Sequence, residues 1–397
     1  MSYAERKEQS PQGNVPNLRF PEFGGEWEKT MLSKVCLINP KTPELDDQFV
    51  YIDLESVEKG LLLCENIITK SEAPSRAQRV LNIGDILFQC VRPYQKNNLH
   101  FVCKQQDLQY VASTGYAQIR THLDSKYLYQ LLNTQKFIDQ VMLRCTGSSY
   151  PAINSTDLSS IPIHIAKEIQ EQSKISAILT LLDQRITTQI KIIEDLKKLK
   201  SAISNLHFDT AIVNYSLVSI GDCIEQLSQR NKNGKIKEVL SVSNKNGFVN
   251  QSEQFEDREI ASEDTSNYKI VRPNDFAYNP ARINVGSIAR LHNYSCGIVS
   301  PMYVCFHTMS MLLPEYFEHF FSTSYFKHEM YKRLEGSVRL CLTYDSLCNI
   351  KIALPSINEQ QQFVSQISAI SSKIINEDKL LVLYQTLKQY LLAKMFI

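Results

Sequence analysis

The residue types best suited to chemistry in this sequence are arginine, asparagine and lysine, gathered in short polar stretches between apolar segments. Arginine bonds guanine, asparagine bonds adenine, and lysine contacts phosphate, so such stretches suit contacts to duplex DNA. In the first half of the chain we expect these contacts from Arg92, Lys96, Asn97, Asn98, Ser149 and Tyr150. In the second half we expect them from Arg230, Asn231, Lys232, Lys235, Arg282, Asn284 and Arg339.

Each of these stretches also has a structural interpretation. Arg92 and Arg282 follow Asp85 and Asp275 at the same spacing, so an ion pair inside the domain explains their placement as well as a base contact does. The run from 230 to 237 contains Asn-Gly, a turn signal, and is also typical of a solvated hairpin. Both interpretations stay open at this stage.

Signatures of catalysis are missing from the sequence. It has no Pro-Pro pair for an adenine methyltransferase loop, no Gly-x-Gly for a nucleotide cofactor and no Walker lysine loop. Its ten cysteines are scattered and form no Cys-x-x-Cys, so they are interpreted as small buried apolar residues and not as zinc ligands or disulfides. We therefore expect a non-catalytic protein with no cofactor and no metal.

Composition sets the size and the class of the protein. With 397 residues, 43% hydrophobic and 21% charged, the chain has room for two or three globular domains. No apolar run reaches membrane-spanning length, and the polar N-terminus lacks the apolar core of a signal peptide, so we expect a cytoplasmic protein without membrane contact. The net charge of +1 is low for a protein that binds DNA unaided, which indicates that partners supply much of the phosphate contact.

A duplication divides the chain. Leu158, Ile161 and Ile163 each have a counterpart 189 positions later, at Leu347, Ile350 and Ile352, and Gly147-Ser148 corresponds to Gly336-Ser337 at the same separation. Asp85 and Arg92 correspond to Asp275 and Arg282 at 190 positions. Landmarks in the same order indicate a repeated unit. The sequences between the landmarks differ. This is expected if each copy binds a different target, and also if the copies simply diverged after the duplication.

Two long segments with apolar residues at intervals of three and four follow the two copies, at about 168–206 and 358–396. Each is interpreted as a helix of about 39 residues, or roughly 58 Å, with a stripe narrow enough for one long partner. We expect the two helices to pair as an antiparallel coiled coil. Separate packing of each helix on its own domain and homodimerisation through the stripes are the alternatives.

These patterns predict an α/β (α+β) fold with two pseudo-symmetric domains of mixed α and β structure, joined by the two long helices. The predicted limits are an N-terminal segment 1–26, a first domain 27–166, a central helix 167–208, a second domain 209–355 and a C-terminal helix 356–397. Within the first domain, strands are expected near 51–54, 83–88 and 111–119, and a helix near 126–143.

The order of several motifs resembles the specificity subunits of type I restriction-modification systems. They are Pro16-Asn-Leu-Arg-Phe-Pro-Glu-Phe-Gly-Gly-Glu-Trp27, the Gly84-Asp85-Ile-Leu turn, the Gly147-Ser-Ser-Tyr-Pro-Ala-Ile153 loop and the Ile-Pro-Ile strand leading to Glu171-Gln172. Leu-Leu-Asp183 and Leu196-Lys-Lys-Leu-Lys200 continue the similarity along the first long helix. The second copy departs from the pattern at Arg339-Leu-Cys-Leu.

The resemblance implies two target-recognition domains that each read one half of a bipartite, asymmetric DNA site, with the helices setting the distance between the halves. It also implies two copies of a modification subunit, which methylates adenine with S-adenosylmethionine, and restriction or motor subunits as further partners. The alternative from another class is a structural adaptor that binds no DNA and presents two protein-binding domains on a rod.

Overall fold

The computed structural model describes residues 13–103, 107–251, 264–336 and 339–397. The chain divides into two compact units. The first unit comprises Met1–Ile190 with Lys379–Ile397, and the second comprises Lys191–Asp378. Both divisions fall inside the two long helices, because each end of each helix packs with the strands of its own unit.

The first unit begins with strands and short helices in alternation. Its strands are β1 (Glu28–Met31), β2 (Cys36–Ile38), β3 (Gln48–Ile52), β4 (Val57–Glu58), β5 (Leu61–Leu62), β6 (Asn66–Thr69), β7 (Ala77–Val80), β8 (Ile86–Gln89), β9 (Leu99–His100), β10 (Gln109–Ser113), β11 (Tyr116–Thr121) and β12 (Pro162–Ile165). Its short helices are α1 (Leu32–Val35), α2 (Ser125–Leu132), α3 (Gln135–Met142) and α4 (Ser155–Ser159). The first long helix, α5, spans Ile169–Asn214.

The second unit repeats this series. Its strands are β13 (Leu217–Ser219), β14 (Ile224–Leu227), β15 (Val239–Ser243), β16 (Gly247–Asn250), β17 (Lys269–Val271), β18 (Phe276–Tyr278), β19 (Ile288–Arg290), β20 (Gly297–Val299), β21 (Val304–Thr308) and β22 (Lys351–Ala353). Its helices are α6 (Pro314–Phe320), α7 (Ser324–Tyr331), α8 (Tyr344–Cys348) and the second long helix α9 (Ile357–Met395).

Sheet topology establishes the duplication. The first unit has four-stranded sheets of order β6-β3-β10-β7 and β2-β11-β8-β9, and the second has β16-β15-β20-β17 and β14-β21-β18-β19. Each also has one parallel pair, β3 with β10 and β15 with β20, and one two-stranded sheet that joins its first strand to its last. The two units therefore share one strand order, as the repeated landmarks predicted.

A turn before β8 and β18 is repeated atom for atom. The Asp85 carboxylate accepts a hydrogen bond from the Asn82 N–H at 2.8 Å, and the Asp275 carboxylate accepts one from the Arg272 N–H at 2.7 Å. The residue before each aspartate, Gly84 or Asn274, has a positive φ, as a tight turn of this kind requires. The aspartates are thus structural, and their separation in sequence follows from this shared turn.

The two long helices run antiparallel within each unit. In the first unit Asp183 of α5 pairs with Lys388 of α9, and Trp27, beside the start of α5, contacts Phe396 after the end of α9. In the second unit His207 of α5 stacks on Phe363 of α9 at 4.0 Å. The predicted fold class, with two sheet-rich domains of mixed α and β structure and two long helices, is confirmed.

Some predicted boundaries were wrong. Helix α5 does not end near 206 but continues to Asn214, because Phe208 and Ala211 are buried in the second unit. Leu206, at the end of the predicted segment, is 68% exposed. The helix expected near 126–143 is two helices, since the Thr134 hydroxyl accepts a hydrogen bond from the Phe137 N–H and starts a new helix there.

Residues 13–26 pack as part of the first unit. The Arg19 guanidinium binds both carboxylate oxygens of the buried Glu171, at 2.7 and 2.8 Å, and the Trp27 indole N–H donates to the same carboxylate. The Leu18 N–H donates to the Lys394 carbonyl at 2.9 Å. This segment therefore joins the start of α5 to the end of α9. The first twelve residues of the predicted N-terminal segment lie outside the described residues.

Candidate nucleic-acid interface

The loop after β8 holds two non-glycine residues in the left-handed region. Arg92 has φ 54° and Lys96 has φ 55°, on either side of a 3-10 turn at Pro93–Gln95. Each such residue costs roughly 1–2 kcal/mol and persists only where the surroundings impose it, most often at functional sites. The buried Asn98 side chain fixes the end of this loop, since it accepts a hydrogen bond from the Gln89 N–H at 2.8 Å and donates one to the Asn133 side chain at 3.0 Å.

Arg92 and Tyr150 are brought together by this loop and the one that follows α3. The Arg92 guanidinium lies 4.2 Å from the centre of the Tyr150 ring, and the Arg92 N–H donates to the Pro151 carbonyl at 2.8 Å. The Tyr150 side chain is 64% exposed. Stacking restricts the guanidinium to the plane of the ring face and leaves its N–H edge available for a base or a phosphate.

Of the other candidates in the first domain, some are bonded within the loop and one is exposed at its surface. Asn98 is 0% exposed and its amide is fully engaged, so the expectation of a base contact there was wrong. The Asn97 side chain accepts from the Lys59 N–H at 3.1 Å, and the Lys96 ammonium donates to Asn133 and Gln135, while its burial lowers the pKa of Lys96. Ser149 is exposed beside Tyr150.

The basic run of the second domain lies along an edge strand. The Asn231 N–H donates to the Tyr268 carbonyl, and the Ile270 N–H donates to the Gln229 carbonyl, so the run pairs with β17. Asn231 is buried and its side chain bonds both the N–H and the carbonyl of Ile236, so the base contact expected of it was also wrong. These two hydrogen bonds close the predicted turn. The exposed cations of the run are Arg230, Lys232, Lys235 and Lys237.

The Arg230 to Lys237 run occupies the place of residues 39–47 in the first copy, since both lie between the second and third strands of their unit. In the first copy that segment also approaches the edge strand, where the Thr42 hydroxyl donates to the Gln78 carbonyl at 2.8 Å. The two segments therefore both run beside the edge strand of their unit, but only the one in the second copy is strongly basic. The cleft beside the run is lined by residues such as Ser228, Lys232 and Lys235.

Arg282, Asn284 and Arg339 lie on two adjoining loops of the second domain. The Leu342 N–H donates to the Pro280 carbonyl at 3.1 Å, which joins the loop after β18 to the loop before α8. Arg282 and Arg339 are exposed and Asn284 is partly exposed. Arg339 stands 189 positions after Tyr150, so an arginine replaces the stacked tyrosine of the first domain.

The ion pair suggested between Arg92 and Asp85 is wrong, because another arginine binds Asp85. Asp85 is instead bound by Arg120, at 2.8 and 2.7 Å, and by the Gln118 side chain at 2.7 Å. Arg120 was not singled out in the sequence because it comes from β11, a strand that only the tertiary fold places beside this turn. Arg92 is thereby left to stack on Tyr150.

One exposed aromatic residue escaped sequence reasoning. Tyr94 is 51% exposed and lies in the 3-10 turn between the two left-handed residues. Its signal was the Arg-Pro-Tyr order, since proline fixes its own φ and favours a turn, and turns lie at the surface. Tyr94 is therefore a further exposed aromatic residue on the loop that carries Arg92.

In the described part of the chain no helix is long and apolar enough to cross a membrane. Across the same residues, no group of three or more His, Cys, Asp or Glu side chains is arranged to hold a metal ion.

Part of the chain is similar in sequence to a known protein family. The family described as type I restriction modification DNA specificity domain matches residues 25–198. The resemblance inferred from the order of the motifs is confirmed: the chain is similar to type I specificity subunits.

A curated relative is the specificity subunit of the type I restriction enzyme HindI from Haemophilus influenzae, 25% identical over 186 residues. The alignment covers 45% of this chain and 40% of that relative, so the chain spans less than half of the relative's length in this match. The family match at residues 25–198 lies in the first copy of the repeat and the start of α5.

Solved structures extend the likeness in fold to nearly the whole chain. One, from work on complex assembly and conformational transition of the type I restriction-modification system, has a TM-score of 0.58 at 19% identity and covers 93% of this chain and 97% of its own. Another is the S subunit of a type I system from M. genitalium, with a TM-score of 0.58 at 15% identity, covering 96% and 99%. At these identities the likeness concerns the fold.

Proposed function

We propose that this chain is the DNA-sequence specificity subunit of a type I restriction-modification complex and reads a bipartite, asymmetric site. Each sheet-rich domain reads one half of the site. The observation that carries this proposal is one strand order used twice, with different exposed groups on equivalent loops. Identical heads would favour identical half-sites, whereas Tyr150 in one and Arg339 in the other favour two different ones.

The reading surface in this proposal is narrower than the sequence suggested. In the first domain it consists of Arg92, Ser149 and Tyr150, with Lys96 and Asn97 holding the loop behind them. In the second domain it consists of Arg230, Lys232, Lys235, Arg282, Asn284 and Arg339. The arginines and Asn284 suit base edges, and the lysines suit phosphates, where they add affinity without sequence preference.

Partner subunits complete the proposal. Helix α5 carries Ile192, Leu199, Leu206 and Val213 at seven-residue intervals, and these side chains are between 38% and 83% exposed. A heptad stripe of exposed apolar residues suits a helix of another chain. We assign it to a modification subunit, two copies of which would supply S-adenosylmethionine-dependent methylation, with restriction or motor subunits joining for cleavage. The chain itself supplies no catalysis.

Selection from random duplexes tests DNA reading. The full chain, with and without its methyltransferase partner, is incubated with a random duplex pool and the bound sequences are determined. We expect two short motifs at a fixed spacing, and exchange of residues 214–353 for those of a relative should change one motif alone. A structural adaptor would enrich no sequence, and that result would reject the proposal.

Substitution within the heptad stripe tests the partner. Leu199→Glu with Leu206→Glu should abolish co-purification with the methyltransferase and leave the thermal midpoint of the isolated chain unchanged, because both side chains are already exposed. Lys198→Gln is the control, since Lys198 is 78% exposed on a neighbouring face and its loss changes the charge by the same sign. Equal effects of the stripe and control variants would contradict the assignment.

A further inference from the structure

The two copies place equivalent aromatic side chains beside the long helices. In the first unit the Phe396 ring lies 5.4 Å from the Tyr127 ring, and in the second unit the Phe208 ring lies 4.8 Å from the Tyr316 ring. The same register, 188 positions along the helices, matches Lys388 with Lys200. The surroundings of these two lysines can therefore be compared directly.

In the first unit the lysine has a built-in anion. The Lys388 ammonium is 2.5 Å from a carboxylate oxygen of Asp183, and the Gln130 side chain donates to the other oxygen of that carboxylate at 2.8 Å. Lys388 and Asp183 are only partly exposed, so the pair is screened less than a surface pair would be. Lysine, carboxylate and amide form one closed cluster.

In the second unit the anion is missing from this arrangement. The position of Asp183 is taken by Ser371, 188 residues later, and that of Gln130 by His319, 189 residues later. The Ser371 hydroxyl donates to the Ile367 carbonyl of its own helix at 2.8 Å. Among the residues that the structure describes, none forms a hydrogen bond or an ion pair with the Lys200 ammonium. Burial lowers the pKa of Lys200, partly opposed by Glu318.

An open cleft of about 830 Å³ lies where the carboxylate would be, within the range of small-ligand sites, roughly 300–1,000 Å³. Its cationic lining includes Lys197, Lys200 and Lys245. Arg290 also lines it, but its guanidinium is bound by Glu315 at 2.9 Å and Glu318 at 3.0 Å. The Arg290 charge offsets one of these two glutamates. The three lysines then outnumber the remaining carboxylate, so the cleft keeps a net positive charge.

Polar groups other than cations also line the cleft. Ser204 and Ser368 line it from the two long helices, and His292 and His319 line it as well. Burial, Lys200 and Arg290 lower the pKa of His319 to about 4, so its ring is neutral near pH 7 and can donate a hydrogen bond. Ammonium, hydroxyl and imidazole N–H donors around an open space suit a multiply charged oxyanion.

We propose that this cleft in the second domain is a phosphate-binding site, in which an oxyanion of the ligand takes the place that Asp183 fills in the first domain. The ligand is inorganic phosphate or the phosphate group of a nucleotide, and the volume of the cleft accommodates either. This site is separate from the loops assigned to DNA, and the proposal holds or fails independently of the proposed function.

The test measures binding of inorganic phosphate and of ATP to the full chain by calorimetry. Ser371→Asp installs the carboxylate of the first copy and should weaken binding about tenfold or more, as should Lys200→Met, since a contact to a charged group contributes about 1.4 kcal/mol or more. Lys327→Met, at an exposed lysine of the same domain, is the control and should leave binding unchanged. Circular dichroism verifies folding of each variant.

The converse variant gives a gain of function. Asp183→Ser makes the first copy resemble the second and should add a second site, raising the stoichiometry of phosphate from one to two. Tighter binding of ATP than of phosphate identifies a nucleotide as the ligand, and equal binding identifies free phosphate. The proposal is overturned if neither binds the wild-type chain, if Ser371→Asp binds as the wild type does, or if only a DNA duplex binds through Lys200.

Discussion

Replacing Asp85 by asparagine tests whether the repeated turn is held by an ion pair in the first copy and by one backbone hydrogen bond in the second. The Asp85 side chain is 1% exposed and accepts four hydrogen bonds, from Asn82, from Gln118 and twice from Arg120. Its counterpart Asp275 accepts one bond from the Arg272 N–H. The same change at the two sites therefore removes unequal sets of contacts.

The expected magnitudes follow from these contacts. In Asp85→Asn the new amide donates where Arg120 also donates, so the bidentate pair is lost together with its charge assistance. Hydrogen bonds to charged groups contribute about 1.5–3 kcal/mol each, and Arg120 is 34% exposed, so we expect a loss of about 3 kcal/mol after allowing for solvent screening.

Asp275→Asn should cost about 1 kcal/mol or less. One hydrogen bond is retained by the asparagine oxygen, and burial raises the pKa of Asp275, so the neutral side chain removes a cost of burying charge. Because this folded pKa is raised, it is the protonated Asp275 side chain that favours folding. Its contribution is complete below the ordinary pKa of 3.8 and is lost as the pH rises from there through the raised folded pKa. Wild type should therefore lose its small advantage over Asp275→Asn as the pH rises through that range.

Urea denaturation followed by tryptophan fluorescence measures the first copy selectively. Trp27 is the single tryptophan of the chain and is buried in the first unit. Asp85→Asn should lower the midpoint of the fluorescence transition, and Asp275→Asn should leave it nearly unchanged. Equal shifts in the two variants, or a loss below about 1 kcal/mol for Asp85→Asn, would refute this account of the turn.

Three further predictions concern pH, base reading and spacing. The pKa of His319 is lowered from 6.5 to about 4, so its contribution to stability is complete above pH 6.5 and is lost as the pH falls toward 4. His319→Gln should therefore reduce the fall of the thermal midpoint on acidification. An unchanged slope of thermal midpoint against pH would contradict this. Arg92→Ala should relax one position of one half-site by about 1–3 kcal/mol, and Arg282→Ala a position of the other half-site, as read by selection from duplex pools; loss of both halves together would argue against separate readers. Deleting seven residues from each long helix removes about 10.5 Å, so the selected spacer should shorten by about three base pairs, and an unchanged spacer contradicts a helical ruler.

The sequence alone indicated the repeated frame because that frame depends on local chemistry. Asp85 and Asp275 accept backbone hydrogen bonds from residues three positions earlier, and such a turn leaves its spacing in the sequence. The long helices were predictable for the same reason, since an amphipathic period is visible in one dimension. The extent of α5 was not, because burial of Phe208 depends on the second domain.

The candidate site was predictable only in part. Arg92 and Tyr150 were both selected from residue type, but their stacking depends on two loops that are far apart in sequence. Asn98 and Asn231 have the side chain that binds adenine best, yet each is buried and hydrogen-bonded to the backbone of its own loop. Residue type states what a side chain can bind, and burial decides whether it faces a ligand.

The sequence by itself determined the repeat, the helical segments and the family resemblance, because each depends on residues that are near in sequence or on ordered spacing. Only the tertiary structure decided that Arg120 binds Asp85, and that Lys388 meets a carboxylate while Lys200 meets an open cleft. Those contacts join strands and helices distant in the chain, so they depend on three-dimensional packing and leave no local pattern.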